Sequence, residues 1–182
     1  MAIPYNDLTA LRREIHANPE LSRHEKVTRR RVKDFLTKQG ITHFEDMGET
    51  GMRVVFDSGT PGPTIMIRGD MDALPIQEIN DDLEYKSTVD GVSHKCGHDG
   101  HTTIITGLCI SLHQQPLQKG KVVVLYQPAE EIGYGANSIL KDEKFNEHVP
   151  DWAFALHNLP GYPMHEVVYR QGIFTPAVKK RY

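Results

Sequence analysis

The stretch Ser93-His94-Lys95-Cys96-Gly97-His98-Asp99-Gly100-His101 crowds a thiol, three imidazoles and a carboxylate into a few residues. The whole chain has 2 Cys and 10 His, so the crowding is not background. Thiolate and neutral imidazole both bind a borderline-soft divalent ion such as zinc. Side chains at i and i+2 of extended backbone point the same way, so the spacing predicts that Cys96 and His98 reach one ion. Gly97 and Gly100 let the chain bend tightly around it. A polar surface loop, or a Cys96–Cys109 pair, would use the same residues, so further ligands must come from elsewhere.

Three apolar runs end in polar chemistry. Thr64 to Ile67 leads into Asp70 and Asp72, Lys121 to Tyr126 into Glu130 and Glu131, and Trp152 to Leu156 into His157. In an open α/β sheet, sites lie beyond the carboxyl ends of the strands. Parallel strands would bring these groups to one rim, with Cys96, His98, one glutamate and His157 as the candidate ligands. Singly, each group has a plainer use: turn residues for Asp70 and Asp72, a solvated pair for Glu130 and Glu131, a strand end for His157. Their recurrence at the same end of successive strands favours a site. An activated thiol at Cys96 is a redox alternative, but it leaves the glutamates without a task.

The elements that must position these groups follow from periodicity and punctuation. A helix is predicted over Tyr5 to Asn18, with Leu8, Leu11 and Ile15 on one face. A second runs to about Gln39, opened by a capping box of Ser22 and Glu25, with Val32, Phe35 and Leu36 inward. His16, Pro19, Glu20 and Glu25 then serve helix ends and caps. A third helix, Thr102 to His113, would bury Ile104, Ile105, Leu108 and Leu112. Strands are expected at Met52–Phe56, Thr64–Ile67, Lys121–Tyr126, Trp152–Leu156 and Val167–Arg170, with a short helix over Gly135–Asp142. Helices alternating with short apolar strands predict an α/β fold, its sheet covered on both faces.

A chain of 182 residues fits one domain. Its 38% hydrophobic and 25% charged composition suits a globular protein, and no apolar run reaches the roughly eighteen residues of a membrane span. A net charge of −3, without a broad basic excess, points away from nucleic acid. Met1 to Arg13 lacks the pattern of a secretory signal, and two cysteines suit a reducing compartment. The expectation is a cytoplasmic protein without a disulfide, a membrane anchor or a nucleic-acid partner.

These residues carry a family resemblance. Arg68-Gly69-Asp70-Met71-Asp72-Ala73-Leu74-Pro75 with Glu78 resembles the first signature of the metal-dependent amidohydrolases of metallopeptidase family 20. So do His94-x-Cys96-Gly97-His98-Asp99-Gly100-His101-Thr102, Gln127-Pro128-Ala129-Glu130-Glu131 with Gly135-Ala136, and Ala155-Leu156-His157. The N-terminal His16-x-x-Pro19-Glu20-Leu21-Ser22-x-x-Glu25 matches as well. The branch resembled holds hippurate hydrolase, N-acyl-amino-acid amidohydrolases, N-acetyldiaminopimelate deacetylase and plant auxin-conjugate hydrolases.

The resemblance implies a zinc-peptidase-like, mostly parallel sheet and two divalent ions, zinc or manganese, with cobalt or nickel as further options. It implies Cys96, His98, Glu131 and His157 as metal ligands, with Cys96 shared between the ions. Glu130 would be the general base and Asp72 would orient the site. As consecutive residues in extended backbone, the two glutamates would diverge, one facing the ions and one the substrate. The implied substrate is an N-acylated amino acid or short peptide. Family members are longer: a lid or dimerisation domain follows, then a C-terminal return bearing another histidine ligand. Residues 1–182 would be the N-terminal portion of the catalytic domain, weak or inactive alone. The alternative is a non-catalytic remnant that keeps metal binding.

Overall fold

Strand β4 (Lys121–Gln127) shows why the chain needs two covered faces. Val122, Val124 and Tyr126 pack with one apolar cluster and Val123 and Leu125 with another, as the two-residue period of a strand requires. The structure is a computed structural model and describes residues 3–169. Strands β1 (Glu45–Met47), β2 (Gly51–Asp57), β3 (Thr64–Asp70), β4 and β5 (Trp152–Ala155) form one sheet in the order β1-β2-β4-β3-β5. β2 is antiparallel to both β1 and β4, while β3 is parallel to β4 and β5. Four strands therefore run one way and β2 alone runs against them.

Helices α1 (Tyr5–Ala17), α2 (Lys26–Lys38) and α3 (His98–Gln114) cover one face. Leu8, Leu11 and Ile15 of α1, Val32 and Leu36 of α2, and Ile105, Cys109 and Ile110 of α3 meet Met52, Val54, Val124 and Tyr126 there. The short helix α4 (Gly135–Leu140) and a 3-10 turn at Glu143–His148 supply Ile139 and Phe145 to the other face, against Met47, Met66, Val123 and Leu125. The expected α/β architecture, helices on both faces of a central sheet, is the one observed.

Several local expectations change. α3 begins at His98, four residues earlier than the periodicity suggested, so its buried face runs through His98, His101, Thr102, Ile105 and Cys109. Ile104 falls off that face and is 59% exposed. The capping box at Ser22 and Glu25 does not form. The orphan N–H groups of Val27 and Thr28 at the start of α2 donate instead to the Glu20 carboxylate, at 3.1 and 2.7 Å. Residues 167–169 form no strand, and Arg170, the end of the strand expected there, lies outside the described residues. Cys96 and Cys109 are free thiols, as expected. Among the described residues no helix is long and apolar enough to cross a membrane.

Candidate metal centre

Register places the chemistry. Asp70 pairs with Gln127 at the carboxyl ends of β3 and β4, and Arg68 pairs with Ala155 in β5. Two residues further along each strand, Asp70 and His157 come level. The loop after β3 carries Asp72, and the turn after β4 carries Glu130 and Glu131. α3 starts at the same rim. Gly97, at φ 90°, is its N-cap residue; an added Cβ there would lie 2.4 Å from the Asn158 side chain. That left-handed turn, rather than extended backbone, brings Cys96 and His98 together. Gly69 lets α3 approach β3: a Cβ there would sit 3.0 Å from Ile105 Cδ1 and 3.2 Å from the His101 carbonyl.

His98 is the hub. It is fully buried, and its Nε2 lies 3.7 Å from Glu131 Oε1, 3.8 Å from Asp70 Oδ2 and 3.9 Å from Glu130 Oε2. His157 Nε2 is 3.4 Å from Cys96 Sγ, while His157 Nδ1–H donates to the Asn158 carbonyl at 2.7 Å. His101 Nδ1 faces Asp70 Oδ2 at 3.6 Å. Among the described residues, three groups could each hold an ion: Cys96, His98 and His157; His98, Glu130 and Glu131; and Asp70, His98 and His101.

Donors about 2.0–2.3 Å from one tetrahedral ion lie roughly 3.3–3.8 Å from each other. The separations around His98 fall close to that range and are too long for direct hydrogen bonds between nitrogen and oxygen. Buried polar atoms normally find partners. Yet His98 Nε2, Glu131 Oε1, Asp70 Oδ2 and His101 Nδ1 are all buried without one. Sulfur, imidazole nitrogen and carboxylate oxygen facing a common space fit a divalent cation.

Each predicted residue has a definite place. Cys96, His98, His157, Glu130 and Glu131 converge. Asp72 stands behind His98, its Oδ1 3.2 Å from His98 Nδ1. Asp72 Oδ2 accepts from Ser22 Oγ–H at 2.6 Å and from Glu131 N–H at 3.0 Å. The two glutamates do not diverge as extended neighbours would: both sit in a turn and approach the same His98 nitrogen. What separates them is exposure, 40% for the Glu130 side chain against 16% for Glu131. Asp70 and His101 join the cluster although neither was in the predicted ligand set. The signal was present, since Asp70 shares a motif with Asp72, and His101 lies one helical turn beyond His98. His94, the third imidazole of the stretch, belongs to none of the three groups and packs against His16.

The electrostatics are those of a site that wants a cation. Burial, then the carboxylates of Glu131, Glu130 and Asp70, pushes the Cys96 thiol up to about 12. That is the reverse of an activated thiol. Burial, then the charge of Asp70, also raises Glu130. For Asp72 burial opposes ionisation, but hydrogen bonds from His98, Ser22 and the Glu131 and Glu130 amides outweigh it and hold its pKa below the usual range.

Comparison with known proteins agrees with this geometry. Residues 66–172 match the model of "Peptidase family M20/M25/M40". An "IAA-amino acid hydrolase ILR1-like 6" of Arabidopsis thaliana is 40% identical over 91% of this chain and 35% of its own. A "Hippurate hydrolase" of Campylobacter jejuni is 39% identical over 82% of this chain and 39% of its own. A solved Bacillus subtilis structure, described as a dinuclear metal binding peptidase from the M20 family, superposes with a TM-score of 0.80. It is 38% identical, with 87% of this chain and 44% of that one covered. The chain thus spans under half the length of these relatives.

Proposed function

The chain belongs to peptidase family M20/M25/M40, and from that membership and the rim cluster we propose an amidohydrolase centre. It would hold two divalent ions and hydrolyse the amide bond of N-acyl amino acids or short peptides. The carrying observation is the set of partnerless buried atoms around His98 Nε2. In this reading Cys96, His98, Glu131 and His157 are the ligands. Cys96, whose Sγ lies 3.4 Å from His157 Nε2, would be the ligand shared between the two ions. Bound divalent ions polarise the scissile carbonyl and lower the pKa of a bound water.

The rest is work for the side chains. Glu130, raised in pKa and 40% exposed, would take the proton from the attacking water and hand it to the leaving amine. Asp72 holds His98 by Nδ1 so that Nε2 faces the carboxylates. The N-acyl amino acid class is supported by the names of the Arabidopsis and Campylobacter relatives, an IAA-amino acid hydrolase and a hippurate hydrolase. Zinc suits the thiolate and imidazoles; manganese suits the carboxylates.

A second reading, a metal-binding portion without turnover of its own, is favoured by the coverage, since the relatives extend well beyond the aligned stretch. One experiment separates the two. Metal-loaded 1–182 is assayed on a series of N-acyl amino acids beside a longer chain that includes the region its relatives carry. Activity of the longer chain alone supports hydrolysis with 1–182 as an incomplete part. Equal kcat/KM for both discards the second reading. No hydrolysis by either, with metal bound, discards the first.

A further inference from the structure

The N-terminal motif His16-x-x-Pro19-Glu20-Leu21-Ser22-x-x-Glu25 touches no candidate ligand, yet it reaches every segment that carries one except that of His157. We propose that residues 16–25 form a positioning bracket for the metal centre, in which His16, Ser22 and Glu25 each fix a different ligand-bearing segment. This rests on the metal-centre reading above.

Ser22 acts on the loop after β3. Its hydroxyl donates to Asp72 Oδ2 at 2.6 Å, the oxygen that also accepts from Glu131 N–H, while Oδ1 faces His98. The hydroxyl therefore sets the rotation of the carboxylate that orients one ligand and ties down the backbone of another. Outer partners of this kind tune metal affinity through the residue they hold.

Glu25 acts on the turn after β4. Its side chain is fully buried, and it accepts from Arg23 N–H, Thr50 Oγ–H and Ala129 N–H at 3.1, 2.5 and 2.7 Å. No ion pair involves it among the described residues. Burying a carboxylate without a cation is costly, so this one has a specific task. Ala129 sits at φ 49°, in the left-handed region a non-glycine residue seldom adopts, immediately before Glu130 and Glu131. The buried carboxylate holds that kink and so sets the direction in which both glutamates leave the strand.

His16 acts on the Cys96 loop. Its Nδ1 lies 2.9 Å from Asp99 Oδ2 and its Nε2 3.2 Å from Glu78 Oε2, and Glu78 Oε1 in turn accepts from Lys95 Nζ at 2.6 Å. Lys95 and Asp99 flank Cys96 and His98, so one imidazole clamps both ends of the ligand pair. Glu20 supplies the contrast within the same motif: its carboxylate caps α2 and reaches no ligand segment.

The test uses the 1–182 chain. Zinc affinity is read by competition with a chromophoric chelator, and site geometry by the visible spectrum of the cobalt-substituted protein, whose thiolate-to-cobalt band reports on Cys96. Ser22→Ala, Glu25→Gln and His16→Gln should each weaken zinc by about 10–100-fold and shift the cobalt bands. Ser22→Thr should restore both, because the hydroxyl returns. Glu20→Gln should lower Tm while leaving affinity and spectrum alone, which a merely structural role for the whole motif would not produce. Zinc affinity within roughly threefold of the parent and an unmoved spectrum in Ser22→Ala and Glu25→Gln would overturn the bracket. If Glu25→Gln fails to fold, Ser22→Ala decides, since it removes one atom and leaves the α2 cap in place. A parent chain with no thiolate-to-cobalt band overturns the metal-centre reading and the bracket with it. A parent band that the variants leave unmoved overturns the bracket alone.

Discussion

His98 Nδ1 lies 2.9 Å from the Asp72 carbonyl oxygen and 3.2 Å from the Asp72 carboxylate. Both partners are acceptors, so Nδ1 carries a proton and Nε2 is the nitrogen left to face an ion. The ring is thereby fixed with its free nitrogen toward Glu131, Asp70 and Glu130. This is how a carboxylate behind a histidine prepares it as a metal ligand.

Asp72→Asn should therefore weaken zinc binding by about 10–100-fold while the protein stays folded. The amide keeps the shape, but it loses the charge that holds His98 and one oxygen shared by Ser22 and Glu131. Chelator competition reads the affinity and far-UV circular dichroism the fold. An unchanged zinc Kd would remove Asp72 from the site.

Zinc binding should release protons from the Cys96 thiol. Burial and the neighbouring carboxylates push the thiol up to about 12, so at neutral pH the metal-free sulfur is protonated. An ion must displace that proton, so affinity rises with pH and falls as the solution is acidified. Calorimetry in two buffers of different ionisation enthalpy counts the protons. Cys96→Ser should release about one fewer; equal release from parent and variant would show that the thiol is not a ligand.

The two glutamates should separate by function in a longer, active chain. Glu130→Gln should keep the metal and lose roughly 10²–10⁴-fold in kcat. Glu131→Gln should lose metal as well, because its buried Oε1 has no other partner. Metal content by mass spectrometry beside kcat distinguishes them. Near-normal turnover in Glu130→Gln would mean that Glu130 is not the base.

Glu78 gives a stability signature. Burial opposes its ionisation, but Lys95, the Ser87 amide and His16 outweigh this and draw its pKa from an ordinary 4.5 to about 2. A depressed carboxylate stabilises the fold above its unfolded pKa, and that contribution is lost as pH falls from about 4.5 toward 2. The shift corresponds to something on the order of 3 kcal/mol. His16 has the opposite sign. Its pKa is raised, chiefly by the hydrogen bond to Asp99, so its contribution is present at low pH and fades as pH climbs through the folded value. Urea denaturation from pH 7 to pH 3 should show a steep acid limb in the parent and a flatter one in Glu78→Gln. Parallel curves would rule out Glu78 as the source.

Residue types and order alone pointed to the rim. Apolar runs ending in Asp70 and Asp72, in Glu130 and Glu131, and in His157 define strand ends, and strand ends in an α/β sheet define where chemistry gathers. That argument needed no coordinates, because an apolar run that gives way to polar residues marks a strand and its end locally; burial is not local, and β5 lies exposed while Asp70 and Asp72 are buried. Three things were not local. Gly97 turns the chain so that His98 opens α3, which carries His101 onto Asp70 and rotates Ile104 out of the core. A helix start is set by which backbone N–H groups find partners, and the periodicity of the later turns does not reveal it.

The tertiary structure also decided the work of the N-terminal motif. Ser22 and Glu25 have the spacing of a helix cap, and by sequence that is the economical reading. Glu20 had already taken the free N–H groups of α2, and the fold placed Asp72 and Ala129 within reach of the other two. A hydroxyl or carboxylate bonds whichever donor or acceptor is nearest in space. The partners that tie Ser22 and Glu25 to the site, Asp72 and Ala129, lie 50 and 104 positions away, and only the folded sheet brings them alongside.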